Sequence, residues 1–207
     1  MEDGEGYAVD QSEVRLMEEA VKRHKNRDKL VIRILWQTGM RRGELAELTL
    51  DDIDRPRREI TIREEISKSD YTRVVAYHPS LDGLLRQWID GGDRDALNRK
   101  NRDELLVGER GGKVRGERIN EIVRDAAIDA GINRKLGYTD ANGGTRWKIT
   151  AHSLRHGYGT HMANKTDMGI WELSKQMGHA SVDTTERIYV EHDRRAGLES
   201  AHRFVAE

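Results

Sequence analysis

The sequence predicts an α+β fold that is mainly α-helical, with a small antiparallel sheet packed at one edge. Two observations support this class: apolar residues recur at helical spacing along most of the chain, and strand-like alternation is confined to residues 59–76. The chain has 207 residues, of which 36% are hydrophobic and 35% charged. It is therefore long enough to bury one core and too rich in periodic apolar positions to be disordered as a whole. We expect a disordered tail over residues 1–6 and a single domain over residues 7–207.

Three helices are expected before the strands. The segment Asp10-Gln11-Ser12-Glu13 has the form of a capping box and predicts a helix that continues to about residue 25. A second helix is expected over residues 28–38, because the apolar pattern ends at Gly39 and glycine is typical of helix C-termini. Residues 43–48 have the pattern of a third, short helix.

The strand-like part of the sequence contains a lysine at its centre. Residues 59–66 alternate between polar and apolar side chains, and residues 72–76 are rich in β-branched side chains. The intervening segment Ser67-Lys68-Ser69-Asp70 has the composition of a turn. We therefore expect a β-hairpin with Lys68 at its tip or flank.

The rest of the chain is predicted to be helical apart from one loop. Residues 133–148 are rich in Gly, Asn and Arg and are expected to form a surface loop. Helices are predicted over residues 79–89, 115–130, 153–164, 169–176 and 182–189, followed by a terminal segment over residues 193–204.

Composition excludes several kinds of site. The chain has no cysteine, which excludes disulfides, thiolate zinc sites and thiol nucleophiles. No apolar segment approaches the roughly 20 residues of a membrane-spanning helix, and the first residues lack the basic and apolar regions of a signal peptide. We therefore expect a soluble, cytoplasmic protein without a membrane partner.

The charges are distributed unevenly along the chain. The net charge is −1, but residues 111–160 carry 9 basic and 5 acidic side chains. Most of these basic residues are arginines, which suit bidentate contacts with phosphate, so the segment is typical of a DNA-binding surface. The alternative is a charged surface that is merely solvated. The candidate DNA-binding side chains are Arg42, Lys113, Arg115, Arg146 and Lys148.

The last third of the chain contains the parts of a metal-free site for phosphodiester chemistry. The segment His152-Ser153-Leu154-Arg155-His156 is followed by Gly178-His179 and then by Tyr189. A tyrosine hydroxyl has a pKa of about 10 and needs a base or nearby cations to act as a nucleophile. The two histidines of the first segment could instead share a helix face as metal ligands, but the zinc-protease pattern requires Glu directly after the first. Tyr189, taken alone, could also be a packed aromatic side chain.

These segments resemble the motifs of the tyrosine recombinases, the phage integrase family of the lambda-integrase and Xer type, in the family's order over roughly residues 7–200. The matching pieces are the first arginine box (Thr38-Gly39-Met40-Arg41-Arg42-Gly43-Glu44-Leu45), the mobile lysine (Lys68), the His-x-x-Arg box (residues 152–156), the Gly-His element (Gly178-His179) and the nucleophile segment (residues 184–189).

The resemblance implies a catalytic domain that cleaves and rejoins double-stranded DNA through a 3′-phosphotyrosyl intermediate. It implies no metal, ATP or small-molecule cofactor, self-association as dimers or tetramers on DNA, and action at the nucleoid of a prokaryotic or viral system. The arginines and one histidine would stabilise the phosphate, another histidine would act as base, and the lysine would protonate the leaving 5′ oxygen. The implied catalytic residues are Arg41, Lys68, His152, Arg155, His179 and Tyr189, supported by Glu44.

Two departures from the family pattern leave alternatives open. Tyr189 follows His179 by ten residues, whereas the family usually has nine, and the N-terminal core-binding domain is expected to be absent from this chain. These departures favour, as a first alternative, a non-catalytic DNA-binding relative or remnant of an integrase. A second alternative is strand nicking and religation of the type IB topoisomerase kind, which uses similar residues. The high acidic content and the excess of Arg over Lys are also typical of a halophilic or archaeal source.

Overall fold

The computed structural model describes residues 7–69, 71–139 and 143–179. The predicted tail at residues 1–6, the predicted helix at residues 182–189 with Tyr189, and the terminal segment at residues 193–204 lie outside the described residues. Within the described part, no helix has both the length and the apolar composition needed to cross a membrane.

Helices make up most of the described structure and a small antiparallel sheet accompanies them, which confirms the predicted fold class. The α-helices described are α1 (Gln11–Ala20), α2 (Lys25–Thr38), α3 (Arg42–Glu47), α4 (Asp82–Ile89), α5 (Asp93–Leu97), α6 (Gly116–Asp129), α7 (Ala151–Lys165) and α8 (Ile170–Met177). The strands described are β1 (Ile53–Asp54), β2 (Glu59–Ile62), β3 (Arg73–Ala76), β4 (Lys135–Thr139) and β5 (Thr145–Trp147).

The first helix begins as predicted but is shorter than predicted. The capping box is present: Asp10 Oδ1 accepts a hydrogen bond from the Glu13 backbone N–H at 2.9 Å, and Glu13 Oε2 accepts one from the Asp10 N–H at 3.1 Å. However, α1 ends at Ala20 and not near residue 25. His24, directly before α2, adopts a left-handed conformation with φ 41°, so residues 21–24 break the helical path between α1 and α2.

The second helix, α2, lies at the centre of the domain and packs against α1, α4, α6 and α7. Five of its apolar side chains are fully buried, namely Leu30, Val31, Ile32, Ile34 and Leu35. The helix ends at Gly39, as predicted, with φ 61°. A Cβ atom added to Gly39 would lie 2.2 Å from Cδ1 of Tyr158 on α7. Glycine therefore allows α7 to approach the end of α2 within the first arginine box, two residues before Arg41.

The first sheet has the strand order β1-β2-β3 and is antiparallel throughout. Ile60, Ile62 and Val75 are fully buried in the main core, so one face of the sheet packs against the helices. The predicted strand over residues 59–66 is too long. The ladder ends at Ile62, because the Glu64 backbone N–H donates to the Thr72 hydroxyl at 3.1 Å and residues 64–66 form a 3-10 turn.

The second β-structure corrects the prediction that residues 133–148 form a loop. Strands β4 and β5 pair as an antiparallel hairpin in this segment. Most of its side chains are exposed, including Tyr138 at 48%. The half-buried Trp147 makes cation–π contacts with two side chains: Lys135 Nζ lies 5.7 Å and the Arg124 guanidinium 6.0 Å from the centre of its ring. Because neither face of this hairpin is buried, the sequence contains no alternation from which strands could be predicted.

Candidate active site

Arg155 is a buried arginine on α7 that connects the ends of two other helices. It is 5% exposed, and it donates from Nη1 to the Gly39 carbonyl at 2.5 Å and from Nη2 to the Met177 carbonyl at 2.7 Å. His152 precedes it by one helical turn on the same side of α7. The guanidinium therefore has a fixed orientation between the C-terminus of α2 and the C-terminus of α8.

Arg41 caps the start of α3, directly after the end of α2. Its backbone N–H donates to Glu44 Oε2 at 2.7 Å and its Nη1 donates to Glu44 Oε1 at 3.1 Å. Its Nη2 donates to the Gly178 carbonyl at 2.7 Å. The Arg41 side chain remains 27% exposed, so this anchored guanidinium can be reached from solvent.

Glu44 is the carboxylate that pairs with both Arg41 and Arg73. Its side chain is 1% exposed, and its Oε2 also accepts a hydrogen bond from Arg73 Nη2 at 2.7 Å. Burial alone would raise the pKa of the Glu44 carboxyl. The hydrogen bond and charge of Arg73, together with Arg41, outweigh that effect and hold the pKa below its usual range. The Glu44 charge is therefore stabilised by the two guanidinium groups that it orients.

Arg73 is a site residue that the sequence analysis did not identify. It begins β3, is 6% exposed, and donates from Nε to the Gln176 carbonyl at 2.9 Å and from Nη1 to the Ser67 hydroxyl at 3.0 Å. The residue types of a short β-branched segment do not show whether an arginine points inward or to solvent. The one signal in the sequence was the two-residue period of a strand, which places Arg73 on the same face as Val75.

The C-terminus of α8 is where these contacts meet. The last carbonyls of an α-helix have no partner inside the helix, and cations are favoured there by the helix dipole. In this chain four successive carbonyls accept hydrogen bonds from side chains of other elements. The Lys175 carbonyl accepts from Tyr71 Oη at 3.2 Å, and the Gln176 carbonyl accepts from Arg73. The Met177 carbonyl accepts from Arg155, and the Gly178 carbonyl accepts from Arg41 and from Ser69 Oγ at 2.7 Å. These bonds fix the backbone directly before His179.

His179 and His152 lie in the positive field of the arginines. Partial burial, followed by the charges of Arg155, Arg41 and Arg73, lowers the pKa of His179 to about 4. Removal of water from its surroundings, followed by the charge of Arg155, also lowers the pKa of His152. These lowered pKa values favour the neutral imidazole at pH 7, and a neutral imidazole can both donate and accept a hydrogen bond.

Of the predicted catalytic residues, the structure brings together Arg41, His152, Arg155 and His179, with Glu44 in support. Lys68 lies next to this cluster in the connection between β2 and β3, and its side chain is exposed. Tyr189 lies outside the described residues. Within the described ranges, no group of three or more His, Asp or Glu side chains is arranged to hold a metal ion.

The predicted DNA-binding residues fall into two groups. Arg42 and Arg115 are exposed at the starts of α3 and α6, where a Cβ added to Gly116 would lie 3.6 Å from Arg42 Cγ; Lys113 is nearby and pairs with Glu47. The other two residues lie on or after β5. Arg146 is exposed, and Lys148 Nζ lies 3.7 Å from the centre of the Tyr7 ring.

The mainly helical fold with a small antiparallel sheet, and the meeting of two arginines and two histidines near the end of α8, agree with the class of tyrosine recombinase catalytic domains, which the comparisons with known proteins support. The chain belongs to the phage integrase family, whose sequence profile matches residues 8–195.

Relatives with assigned names support this membership. The tyrosine recombinase XerC of Corynebacterium efficiens is 31% identical over 160 residues, which cover 77% of this chain and 45% of the relative. A probable integrase/recombinase protein of Methanocaldococcus jannaschii is 32% identical over 178 residues, which cover 86% of this chain and 49% of the relative. The chain thus spans about half the length of the curated relatives it matches.

Solved structures share the fold. The crystal structure of XerA recombinase has a TM-score of 0.72 at 24% identity and covers 98% of this chain and 66% of that chain. XerH site-specific recombinase bound to its difH substrate before cleavage also has a TM-score of 0.72, at 23% identity, over 97% of this chain and 54% of that chain. At these identities the likeness concerns the fold.

Proposed function

We propose that this chain is the catalytic domain of a site-specific DNA recombinase that cleaves and rejoins strands through a 3′-phosphotyrosyl intermediate. The observation that most supports this proposal is the convergence at α8. Arg41 and Arg155, from two distant motifs, donate to the carbonyls of Gly178 and Met177, directly before His179. Convergence of two guanidinium groups and an imidazole is what binding of a single scissile phosphate requires.

In the proposed reaction the Tyr189 hydroxyl oxygen attacks the phosphorus atom. A bond forms between this oxygen and phosphorus, and the bond between phosphorus and the 5′ oxygen breaks. The tyrosine proton passes to His152, and Lys68 gives a proton to the leaving 5′ oxygen. The products are a 3′-phosphotyrosyl linkage and a 5′ hydroxyl. Attack of another 5′ hydroxyl reverses these steps, so rejoining needs no ATP.

The positive charge for this reaction would come from the protein. Arg41 and Arg155 would donate hydrogen bonds to the non-bridging oxygens, and the neutral His179 would donate a further one. Removal of one such donor costs roughly 10²–10³ in rate in enzymes that stabilise an oxyanion in the same manner. The proposal therefore requires no metal or cofactor.

Double-stranded DNA is the partner that we propose, with copies of the chain associating on it. Lambda integrase has been solved as a dimer bound to a core site, and XerH as a post-cleavage complex with a palindromic difH substrate. In this chain the exposed Arg42, Arg115 and Arg146 are the side chains that we expect to contact the DNA backbone. As an enzyme acting on chromosomal DNA, it would work at the nucleoid.

Trapping of the covalent intermediate tests the proposal and does not require a defined target site. The protein is incubated with a pool of nicked duplexes of random sequence, in which cleavage releases a short fragment and so prevents rejoining. Protein–DNA adducts are isolated under denaturing conditions and their DNA is sequenced. We expect adducts with the wild type and none with Tyr189→Phe. Tyr138→Phe, an exposed tyrosine of the second hairpin, is the matched control and retains them.

The adduct assay, together with measurements of DNA binding and of supercoil relaxation, separates the alternatives. Salt-sensitive DNA binding without adducts from the wild type under any condition would contradict the proposal and support the non-catalytic relative. Relaxation of supercoiled DNA by the monomer, without strand exchange, would support the topoisomerase-type reaction. Adducts formed by Tyr189→Phe would show that another residue is the nucleophile.

A further inference from the structure

We infer that Ser69 is a positioning residue for Lys68, because its hydroxyl holds the lysine-bearing segment against the end of α8. The inference rests on the proposed function, in which Lys68 protonates the leaving 5′ oxygen. It concerns the lysine segment, residues 67–69, which contains a hydroxyl on each side of the lysine.

The first contact lies directly after the lysine. Ser69 Oγ donates to the Gly178 carbonyl at 2.7 Å, and Arg41 Nη2 donates to the same carbonyl at 2.7 Å. A Cβ added to Gly178 would lie 2.4 Å from Ser69 Oγ, so the two segments are in close contact. One carbonyl oxygen therefore connects the lysine segment to an arginine of the proposed phosphate site.

The second contact lies directly before the lysine. Ser67 Oγ accepts hydrogen bonds from Arg73 Nη1 at 3.0 Å and from the Ser69 backbone N–H at 3.1 Å. Arg73 is itself buried and bound to Glu44 and to the Gln176 carbonyl. The segment is thus attached to buried structure on both sides of Lys68, although the Lys68 side chain is exposed.

This arrangement addresses a physical difficulty of using an exposed lysine as an acid. A general acid must come within hydrogen-bond distance of the atom that it protonates, and a displacement of about 1 Å can cost a large factor in rate. A lysine side chain is a flexible chain of four carbon atoms, so it does not by itself hold its ammonium group in one position. Fixing the adjacent backbone limits where the ammonium group can reach, and Ser69 supplies a direct bond that does so.

A change of leaving group distinguishes this role from an effect on the phosphate site. The duplex recovered in the adduct selection is prepared in two forms, with oxygen or with sulfur at the bridging 5′ position of the scissile phosphate. A thiol has a pKa of about 8.5 and leaves as thiolate without a proton, whereas an alkoxide needs one. Single-turnover cleavage of both substrates is measured for the wild type, Lys68→Ala, Ser69→Ala and Thr72→Val. Thr72 is the control, since its hydroxyl accepts from the Glu64 N–H within the same connection.

We expect Lys68→Ala to slow cleavage of the oxygen substrate by about 10²–10³ and to change the sulfur substrate little. Ser69→Ala should slow the oxygen substrate by roughly fivefold, the effect of losing one hydrogen bond, and leave the sulfur substrate within about twofold of the wild type. Thr72→Val should stay within about twofold on both. Normal cleavage of the sulfur substrate by Ser69→Ala also shows that the variant is folded.

Two results would overturn the inference. An equal loss of cleavage rate on both substrates would mean that Ser69 acts through Arg41 and not through Lys68, because Ser69 Oγ also accepts a hydrogen bond from Arg41 Nη1 at 3.4 Å. Wild-type rates on both substrates would mean that the bond to Gly178 positions nothing. Absence of cleavage by the wild type on either substrate is a different result, which contradicts the proposed function itself.

Discussion

The two β-structures of this chain use positive charge in opposite ways. In the first sheet, Arg73 is almost fully buried, paired with Glu44 and bound to the end of α8. In the second hairpin, Lys135 and Arg146 are exposed, and Lys135 lies beside the ring of Trp147. A buried guanidinium needs a carboxylate and carbonyl partners to compensate for lost water, so it organises structure. An exposed one keeps its water and is suited to contact a polyanion.

The comparison also indicates what each region can tolerate. A change near Arg73 leaves a buried charge or a buried polar group without its partner. A change in the second hairpin removes a solvated charge and leaves the core untouched. We therefore expect the largest losses of stability around Glu44 and α2, and effects on DNA binding with little effect on stability in the second hairpin.

The largest expected effect is that of Glu44→Ala. The substitution leaves the buried Arg73 without its carboxylate, and we expect the free energy of unfolding to fall by about 3–5 kcal/mol. Urea denaturation followed by circular dichroism measures it. Glu47→Ala on the same helix is the matched control, because its pair with Lys113 is partly exposed and should contribute less than about 1 kcal/mol. Equal losses for the two variants would contradict the distinction between buried and exposed pairs.

The next effect is that of Gly39→Ala at the end of α2. The position combines a left-handed φ of 61° with a Cβ clash against Tyr158, and we expect a loss of about 2–4 kcal/mol in unfolding free energy. Gly131→Ala is the control: Gly131 has φ 73° but open space around it, so it should lose only the backbone contribution of about 1 kcal/mol. If both variants lose the same amount, the close approach of α7 to α2 is not important for stability.

The third prediction concerns pH and the buried side of the comparison. The pKa of His179 is about 4 in the folded chain and about 6.5 when unfolded, so between these values the unfolded chain binds the proton more strongly. The stabilisation from keeping this histidine neutral is present above pH 6.5 and is lost as the pH falls towards 4. After allowance for solvent screening we expect a decrease of roughly 1–2 kcal/mol across this interval.

His179→Gln should flatten that pH dependence, because glutamine has no proton to bind. Urea unfolding of both proteins at several pH values between 4 and 7 measures the difference in slope. Parallel curves for the variant and the wild type would contradict the lowered pKa.

The smallest expected effect on stability is in the second hairpin. Arg146→Ala should change the unfolding free energy by less than about 0.5 kcal/mol, because the side chain is exposed. If Arg146 contacts a phosphate, the variant should bind DNA more weakly and reduce the slope of log affinity against log salt by about 1. Fluorescence anisotropy at several salt concentrations checks this. The control is Arg57→Ala, which removes an exposed arginine beside the first sheet. If Arg57→Ala changes the salt dependence of DNA binding as much as Arg146→Ala does, the second hairpin has no particular role in DNA binding.

The residues that could be predicted from the sequence are those that belong to local motifs. The residues Arg41, His152, Arg155 and His179 stand in short segments with a recognisable order, and the structure brings these segments together. Gly39 was predicted as a helix end because glycine at that position has a local conformational reason. None of these predictions depended on contacts between distant parts of the chain.

Arg73 and the second hairpin could not be predicted because their features depend on burial. Arg73 can be recognised as a site residue only from the structure, in which it binds Glu44 and the Gln176 carbonyl at the end of α8. The hairpin has the opposite problem, since strands with two exposed faces lack alternation and resemble a loop in sequence. The start of α2 was also displaced, because a left-handed His24 begins the helix without any typical capping residue.

The Gly178 carbonyl, shared by Arg41 and Ser69, makes assembly of the site cooperative. The first arginine box, the lysine segment and α8 each contribute to this one junction, and Arg155 of α7 binds the carbonyl next to it. A chain in which any one of these segments has detached loses the geometry of the others at the same time. We therefore expect partly unfolded molecules to lack the whole arrangement of side chains, and not only the segment that has detached.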